Sequence, residues 1–158
     1  MIRIVFVCHG NICRSTMAEF LFRDMAKKAG AAERFEIISR ATSPEELGNP
    51  VYPGTRRILD RLGIDSSGKV SELLTRLDCD RADRIIIMDE RNRQRLGPFI
   101  VDNAAKVKKL LSFAGEDRDI ADPWYSGDFE ATYRDVSKGC AALLDECLRR
   151  ERGKKHDE

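Results

Sequence analysis

The passage from residue 2 to residue 30 constrains the fold most. Residues 2–8 (Ile-Arg-Ile-Val-Phe-Val-Cys) are a nearly unbroken β-branched and aromatic run, bounded by Gly10 and Asn11. From Ser15 the apolar positions switch to helical spacing at Met17, Phe20, Leu21, Met25 and Ala29, until Gly30 offers a C-cap. A strand apolar on both sides needs cover on both sides. A strand that passes through a glycine-containing loop into a helix therefore reads as the opening unit of a parallel sheet.

The alternation continues along the chain. Residues 35–39 (Phe-Glu-Ile-Ile-Ser) read as a second strand, followed by a loop over 42–52 broken by Pro44, Gly48, Asn49 and Pro50. Pro53-Gly54 opens a helix carrying Ile58, Leu59 and Leu62, which Gly63 stops. Residues 83–88 (Asp-Arg-Ile-Ile-Ile-Met) have the pattern of a fully buried strand, and 89–96 that of a short charged helix. Residues 104–113 suit either a helix or the last strand. Phe129, Tyr133, Val136, Cys140, Leu143, Leu144, Cys147 and Leu148 mark a long amphipathic closing helix. The pattern predicts a three-layer α/β domain with a mainly parallel sheet over residues 1–150, and a frayed polar tail over 151–158.

Composition excludes several classes of function. With 28 basic against 27 acidic residues the net charge is +1, no basis for general nucleic-acid or membrane attraction. The opening apolar run is too short for a signal segment or a membrane span. Five cysteines, an odd number with no staple-like spacing, read as reduced thiols of a cytoplasmic protein. His9 and His156 with no Cys-x-x-Cys give no metal-site pattern, so neither a metal nor another cofactor is expected.

Parallel sheets bind ligands beyond the carboxyl ends of their strands, and Cys8 stands at such a place. The loop Cys8-His9-Gly10-Asn11-Ile12-Cys13-Arg14-Ser15 is a Cys-x5-Arg. Spacing alone proves little in a chain with five cysteines and 19 arginines. Its position between strand and helix supplies the specificity. Gly10 and Asn11 tolerate positive φ, which lets successive N–H groups converge on one anion, and the helix start adds positive potential. A free thiol of pKa ~8.5 is mostly protonated at neutral pH, yet the thiolate is the nucleophile. Backbone donors, the helix N-terminus and Arg14 all favour negative charge on the Cys8 sulfur. Ser15 can donate to that sulfur, cap the helix, or both. Arg14 offers a planar fork that matches two phosphoryl oxygens. Cys13 reads equally as structural or functional, and His9 as a bystander to the chemistry. The loop lacks the Gly-Lys-Ser/Thr ending of a nucleotide P-loop.

In these residues the chain resembles the low-molecular-weight protein tyrosine phosphatases. The likeness runs through Val-Cys-His-Gly-Asn-Ile-Cys-Arg-Ser, Met17-Ala18-Glu19, Ala41-Thr42-Ser43, Gly48-Asn49-Pro50, Met88-Asp89-Glu90 and Asp122-Pro123-Trp124-Tyr125. It implies a four-stranded parallel sheet in the order 2-1-3-4, with residues 107–111 as the fourth strand. It also implies a metal-free cytoplasmic monomer that hydrolyses phosphotyrosine on protein substrates. Cys8 would be the nucleophile, Arg14 the phosphate clamp, and Asp122 the general acid, then base. The remaining loop residues His9 to Cys13 and Ser15 would bind phosphate or substrate, with Trp124 and Tyr125 beside them. Asn11 and Ser39 would bond each other, Asp89 would support the site, and Cys13 would pair with Cys8 on oxidation. By residues alone Asp122 is one acid among 27, and Asp-Pro often only starts a turn.

Four departures bear on specificity. Thr16 replaces a usual proline, Pro44-Glu45-Glu46 stands where many members place an aromatic wall, and Lys69 and Glu72 replace a histidine and an arginine. Ile12 occupies a position where protein-arginine phosphatases carry threonine. Competing readings are such an arginine phosphatase, an arsenate reductase of the same fold, which needs resolving cysteines in a later loop, and a phosphoprotein-binding module without catalysis.

Overall fold

The strands Ile2–Cys8 (β1), Phe35–Ala41 (β2), Arg84–Ile87 (β3) and Val107–Lys109 (β4) form one parallel sheet in the order β2-β1-β3-β4. They are seen in a computed structural model that describes residues 1–156. Among the described residues six α-helices accompany them: Arg14–Lys28 (α1), Pro53–Arg61 (α2), Arg76–Arg81 (α3), Glu90–Leu96 (α4), Pro123–Ser126 (α5) and Phe129–His156 (α6).

The apolar run of β1 divides by strand alternation. Ile4, Phe6 and Cys8 join Ile86 in a core shared with α1, α2 and α6. Val5 and Val7 join Ile85 and Ile87 on the opposite face, under Leu74, Cys79 and Leu96 from the α3 and α4 side. Both faces are thus covered, which is why neither β1 nor β3 shows a polar side. The C-terminal ends of the central strands are left for the loops that follow them.

Several local expectations are corrected. The fourth strand covers only Val107–Lys109, and Leu110–Ala114 is a 3₁₀ segment. Leu110 and Leu111 both enter the α6-side core, and adjacent residues on one face are incompatible with a continuing strand. Helix α1 begins at Arg14 with Cys13 at the N-cap, so Ser15 is its second helical residue and not its cap. Thr16 is the third, and its Oγ1 donates to the Cys13 carbonyl at 3.0 Å. Helix α3 had no counterpart in the sequence reading, and a capping box between Thr75 and Asp78 starts it. The tail is helical as far as His156. Ion pairs Arg149–Asp145 and Arg150–Glu146 lie along its last turns, and Glu151 reaches Arg34 at 3.2 Å. The last two residues of the expected tail, 157 and 158, lie outside the described residues.

Candidate active site

The turn out of β1 depends on Asn11, which sits at φ 57°, the one non-glycine residue with positive φ among those described. Its side chain ties three parts of the chain together. Asn11 Oδ1 accepts from the Glu72 N–H at 3.1 Å, and Nδ2 donates to Ser15 Oγ at 2.8 Å and to Ser39 Oγ at 2.9 Å. Because Ser15 Oγ accepts from Asn11, its own proton is free for the Cys8 sulfur, 2.9 Å away. The Ser15 N–H points at the same sulfur from 3.4 Å. In the same way Ser39 accepts from Asn11 and donates to Glu19 Oε1 in a short 2.5 Å bond. Glu19 is buried and is faced by Arg23 at 2.8 Å and Lys69 at 3.5 Å, while Lys69 also donates to the Ser39 carbonyl. The loop is pinned from outside by Ser71 Oγ, which donates to the Gly10 carbonyl at 2.7 Å.

Among the described residues, the backbone N–H groups of Gly10, Asn11, Ile12, Cys13 and Arg14 donate to no protein acceptor. Asn11, Ile12 and Cys13 are buried, and Gly10, Ile12, Cys13 and Arg14 border one cavity with Cys8. Uncommitted N–H groups at a helix start form a ready anion site.

Arg14, only 2% exposed, spans from this loop to two others. Its Nη1 donates to Asp89 Oδ2 at 2.6 Å and to the Ile120 carbonyl at 2.8 Å, and Nη2 reaches Asp122 Oδ2 at 3.5 Å. Burial by itself lowers the guanidinium pKa. The negative charges at Cys8, Asp89 and Asp122 outweigh burial and hold it above its ordinary value. Asp89 also caps α4 in a reciprocal box with Asn92. Asp122 is the N-cap of α5 and accepts from the Trp124 N–H at 3.0 Å, with Pro123 fixing the first helical φ. The Cys13 thiol is pushed well up, by burial first and then by the charges at Cys8 and Asp122.

Cys8, His9, Gly10, Ile12, Cys13, Arg14, Asp122, Trp124 and Tyr125 therefore line one cavity of about 100 Å³. Asn11, Ser15, Ser39 and Asp89 stand behind it as partners of the lining groups. The His9 ring turns to Glu45 at 3.1 Å, and Glu45 and Glu46 form the rim where an aromatic was lacking. Tyr52 backs one wall without lining the cavity: it packs edge-on against Trp124 at 5.1 Å and stacks on Phe129 at 5.5 Å. Sequence reasoning gave Glu19 no role although it lies in the Met17-Ala18-Glu19 motif, and missed Ser71 and Tyr52, which carry no local motif and arrive only through folding. Among the described residues, no three His, Cys, Asp or Glu side chains are grouped to hold a metal.

Comparison with known proteins adds an independent line. Residues 3–154 match the family model for low molecular weight phosphotyrosine protein phosphatases. The chain is 40% identical over 148 residues to the low molecular weight protein-tyrosine-phosphatase YfkJ of Bacillus subtilis, covering 91% of this chain and 94% of that one. The YfkJ crystal structure superposes with a TM-score of 0.91 over 95% and 96% of the two chains. A low molecular weight protein tyrosine phosphatase from Streptococcus pyogenes, 37% identical, gives 0.83 over 92% and 93%. The arginine phosphatase YwlE, at 24% identity and a TM-score of 0.83 over 96% and 99%, shares the fold.

Proposed function

Because the chain belongs to the low-molecular-weight phosphotyrosine protein phosphatase family, we propose that Cys8, Arg14 and Asp122 divide a two-step hydrolysis of phosphotyrosine among them. One observation carries this assignment: the Cys8 sulfur, hydrogen-bonded by Ser15, shares a cavity with the Arg14 fork and the Asp122 carboxyl. In the first step the sulfur attacks phosphorus, and the bond to the tyrosyl oxygen breaks as Asp122 gives that oxygen a proton. In the second, Asp122 takes a proton from water, whose oxygen displaces the sulfur from phospho-Cys8 and releases phosphate. The loop N–H groups from Gly10 to Arg14 and the guanidinium hold the phosphoryl oxygens as charge moves across them.

Asn11, Ser39 and Asp89 act as positioning residues, through Ser15 and through Arg14. Ile12, Trp124 and Tyr125 give the pocket apolar walls suited to an aryl ring, with His9 at its edge. The readings that compete are weakened by position. Cys79, the one cysteine in the region where an arsenate reductase would need a resolving thiol, lies in α3 and is fully buried in the core on the face of the sheet opposite Cys8. Isoleucine at position 12 offers no hydroxyl to a phosphoarginine.

The test is hydrolysis of phosphotyrosine, phosphoserine and phosphoarginine peptides side by side, by the native chain and by Cys8→Ser. We expect phosphotyrosine to be preferred over phosphoserine by at least about a hundredfold in kcat/KM, because a short side chain cannot carry its phosphorus to the sulfur. Cys8→Ser should fold, bind vanadate and turn over less than about 1% as fast. Comparable rates on the first two peptides, or an active Cys8→Ser, would refute the assignment.

A further inference from the structure

A second and larger cavity, of about 840 Å³, opens beside the catalytic one and shares His9, Arg14, Glu45, Asp122 and Tyr125 with it. Its far wall is α4, where Arg91 and Arg95 lie four residues apart and hence on one face. Both are exposed. Three of the carboxylates around this cavity already have cationic partners, since Asp89 and Asp122 face Arg14 and Asp119 meets Lys109 at 3.0 Å, and Glu45 lies 3.1 Å from the His9 ring. Arg93, between the two arginines in sequence, turns to Glu90 at 3.1 Å. Among the described residues, no carboxylate pairs with Arg91 or Arg95. A chain of net charge +1 thus places two uncompensated guanidinium groups next to its phosphate site.

We propose that this arm receives acidic residues flanking the phosphotyrosine of a protein substrate, with Arg91 and Arg95 as the carboxylate receptors. The inference rests on the phosphotyrosine hydrolysis described above and adds a substrate class to it. A peptide anchored by its phosphate in the catalytic cavity emerges beside this space, because the two cavities share His9, Glu45 and Tyr125. At ~3.3–3.6 Å per extended residue, its next residues pass over the adjoining space. That space is within the size range of ligand sites. The guanidinium fork matches a carboxylate, and charges at such a rim act through association and are weakened by salt.

The test compares kcat/KM for phosphotyrosine peptides flanked on both sides by Asp, by Ala or by Lys, with p-nitrophenyl phosphate as a substrate that has no flanks. The proteins are the native chain, Arg91→Glu/Arg95→Glu and, as control, Arg93→Glu. In the native chain the Asp peptide should exceed the Lys peptide by about tenfold at low salt, and the advantage should shrink as salt rises. The double variant should lose or reverse that preference, while Arg93→Glu keeps it. Rates on p-nitrophenyl phosphate should stay within about twofold, which also shows that the variants fold. Equal rates on Asp and Lys peptides in the native chain would overturn the inference, as would a preference that survives the double substitution. Failure to hydrolyse even p-nitrophenyl phosphate would instead strike at the phosphatase reading itself.

Discussion

Asp122 carries two duties that a single substitution separates. Its Oδ1 caps α5 through the Trp124 N–H, and an asparagine oxygen can do the same. What asparagine cannot do is give up a proton at the pH of the reaction. Asp122→Asn should therefore keep the loop in place and slow turnover by ~10²- to 10⁴-fold on esters with poor leaving groups. On activated nitrophenyl esters the loss should be small. Rates measured against leaving-group pKa check this, and a loss independent of leaving group would reduce Asp122 to a structural role. Cys8 and Cys13 line the same cavity as free thiols. Peroxide should convert the Cys8 thiolate to a sulfenic acid, releasing hydroxide. The protonated Cys13 thiol then condenses with it, forming the S–S bond and losing water. Peptide mapping should find the 8–13 crosslink, and Cys13→Ser should recover poorly on reduction. Absence of that crosslink would dismiss the pairing. The Cys-x5-Arg loop was readable in the sequence because its parts are neighbours on one turn. The partners of Arg14 were not, since Asp89 and Asp122 are 75 and 108 residues away.

Helix α2 reaches the site through a contact that allows no side chain. A Cβ on Gly54 would stand 2.6 Å from the Phe129 ring, closer than carbon atoms pack. Phe129 stacks on Tyr52, which in turn packs on Trp124 at the cavity wall. Gly54→Ala should therefore destabilise the fold by about 1–3 kcal/mol, as overpacking does. By moving Trp124 it should also raise KM for phosphotyrosine peptides more than it lowers kcat. Denaturant unfolding with steady-state kinetics tests both, and an unperturbed variant would show that Phe129 moves aside freely. Element by element, the long periodic segments were the most legible. Helix α3 was missed although Thr75-Arg76-Leu77-Asp78 spells a capping box, because six residues are too few for periodicity to show. The end of β4 was unreadable for a different reason: Val107, Leu110 and Leu111 suit a helix as well as a last strand, and only the surface of α6 decides that both leucines turn inward.

Across the whole molecule the buried thiols set a limit on alkaline stability. Burial pushes Cys79 and Cys147 up from 9.0 to about 11, and raises Cys13 and Cys140 as well. The native state then keeps protons that the unfolded chain releases. Their contribution to stability is fully present below pH 9 and is lost as pH rises through about 11. The Tm should fall over that window, and Cys79→Ala/Cys147→Ala should flatten the decline. An equally steep fall in the double variant would assign it to other groups. Sequence by itself determined the strand–loop–helix unit around Cys8, the parallel α/β class and the aromatic surface beside Asp122, since each is written in adjacent residues and in hydrophobic period. Only the tertiary structure decided that Glu19, Ser71 and the Glu72 amide brace the loop, that Tyr52 packs against Trp124, and that Arg91 and Arg95, unpaired among the described residues, stand beside the site. These contacts join separate elements. The order of the strands and the packing on their two faces select them, and no local pattern records either.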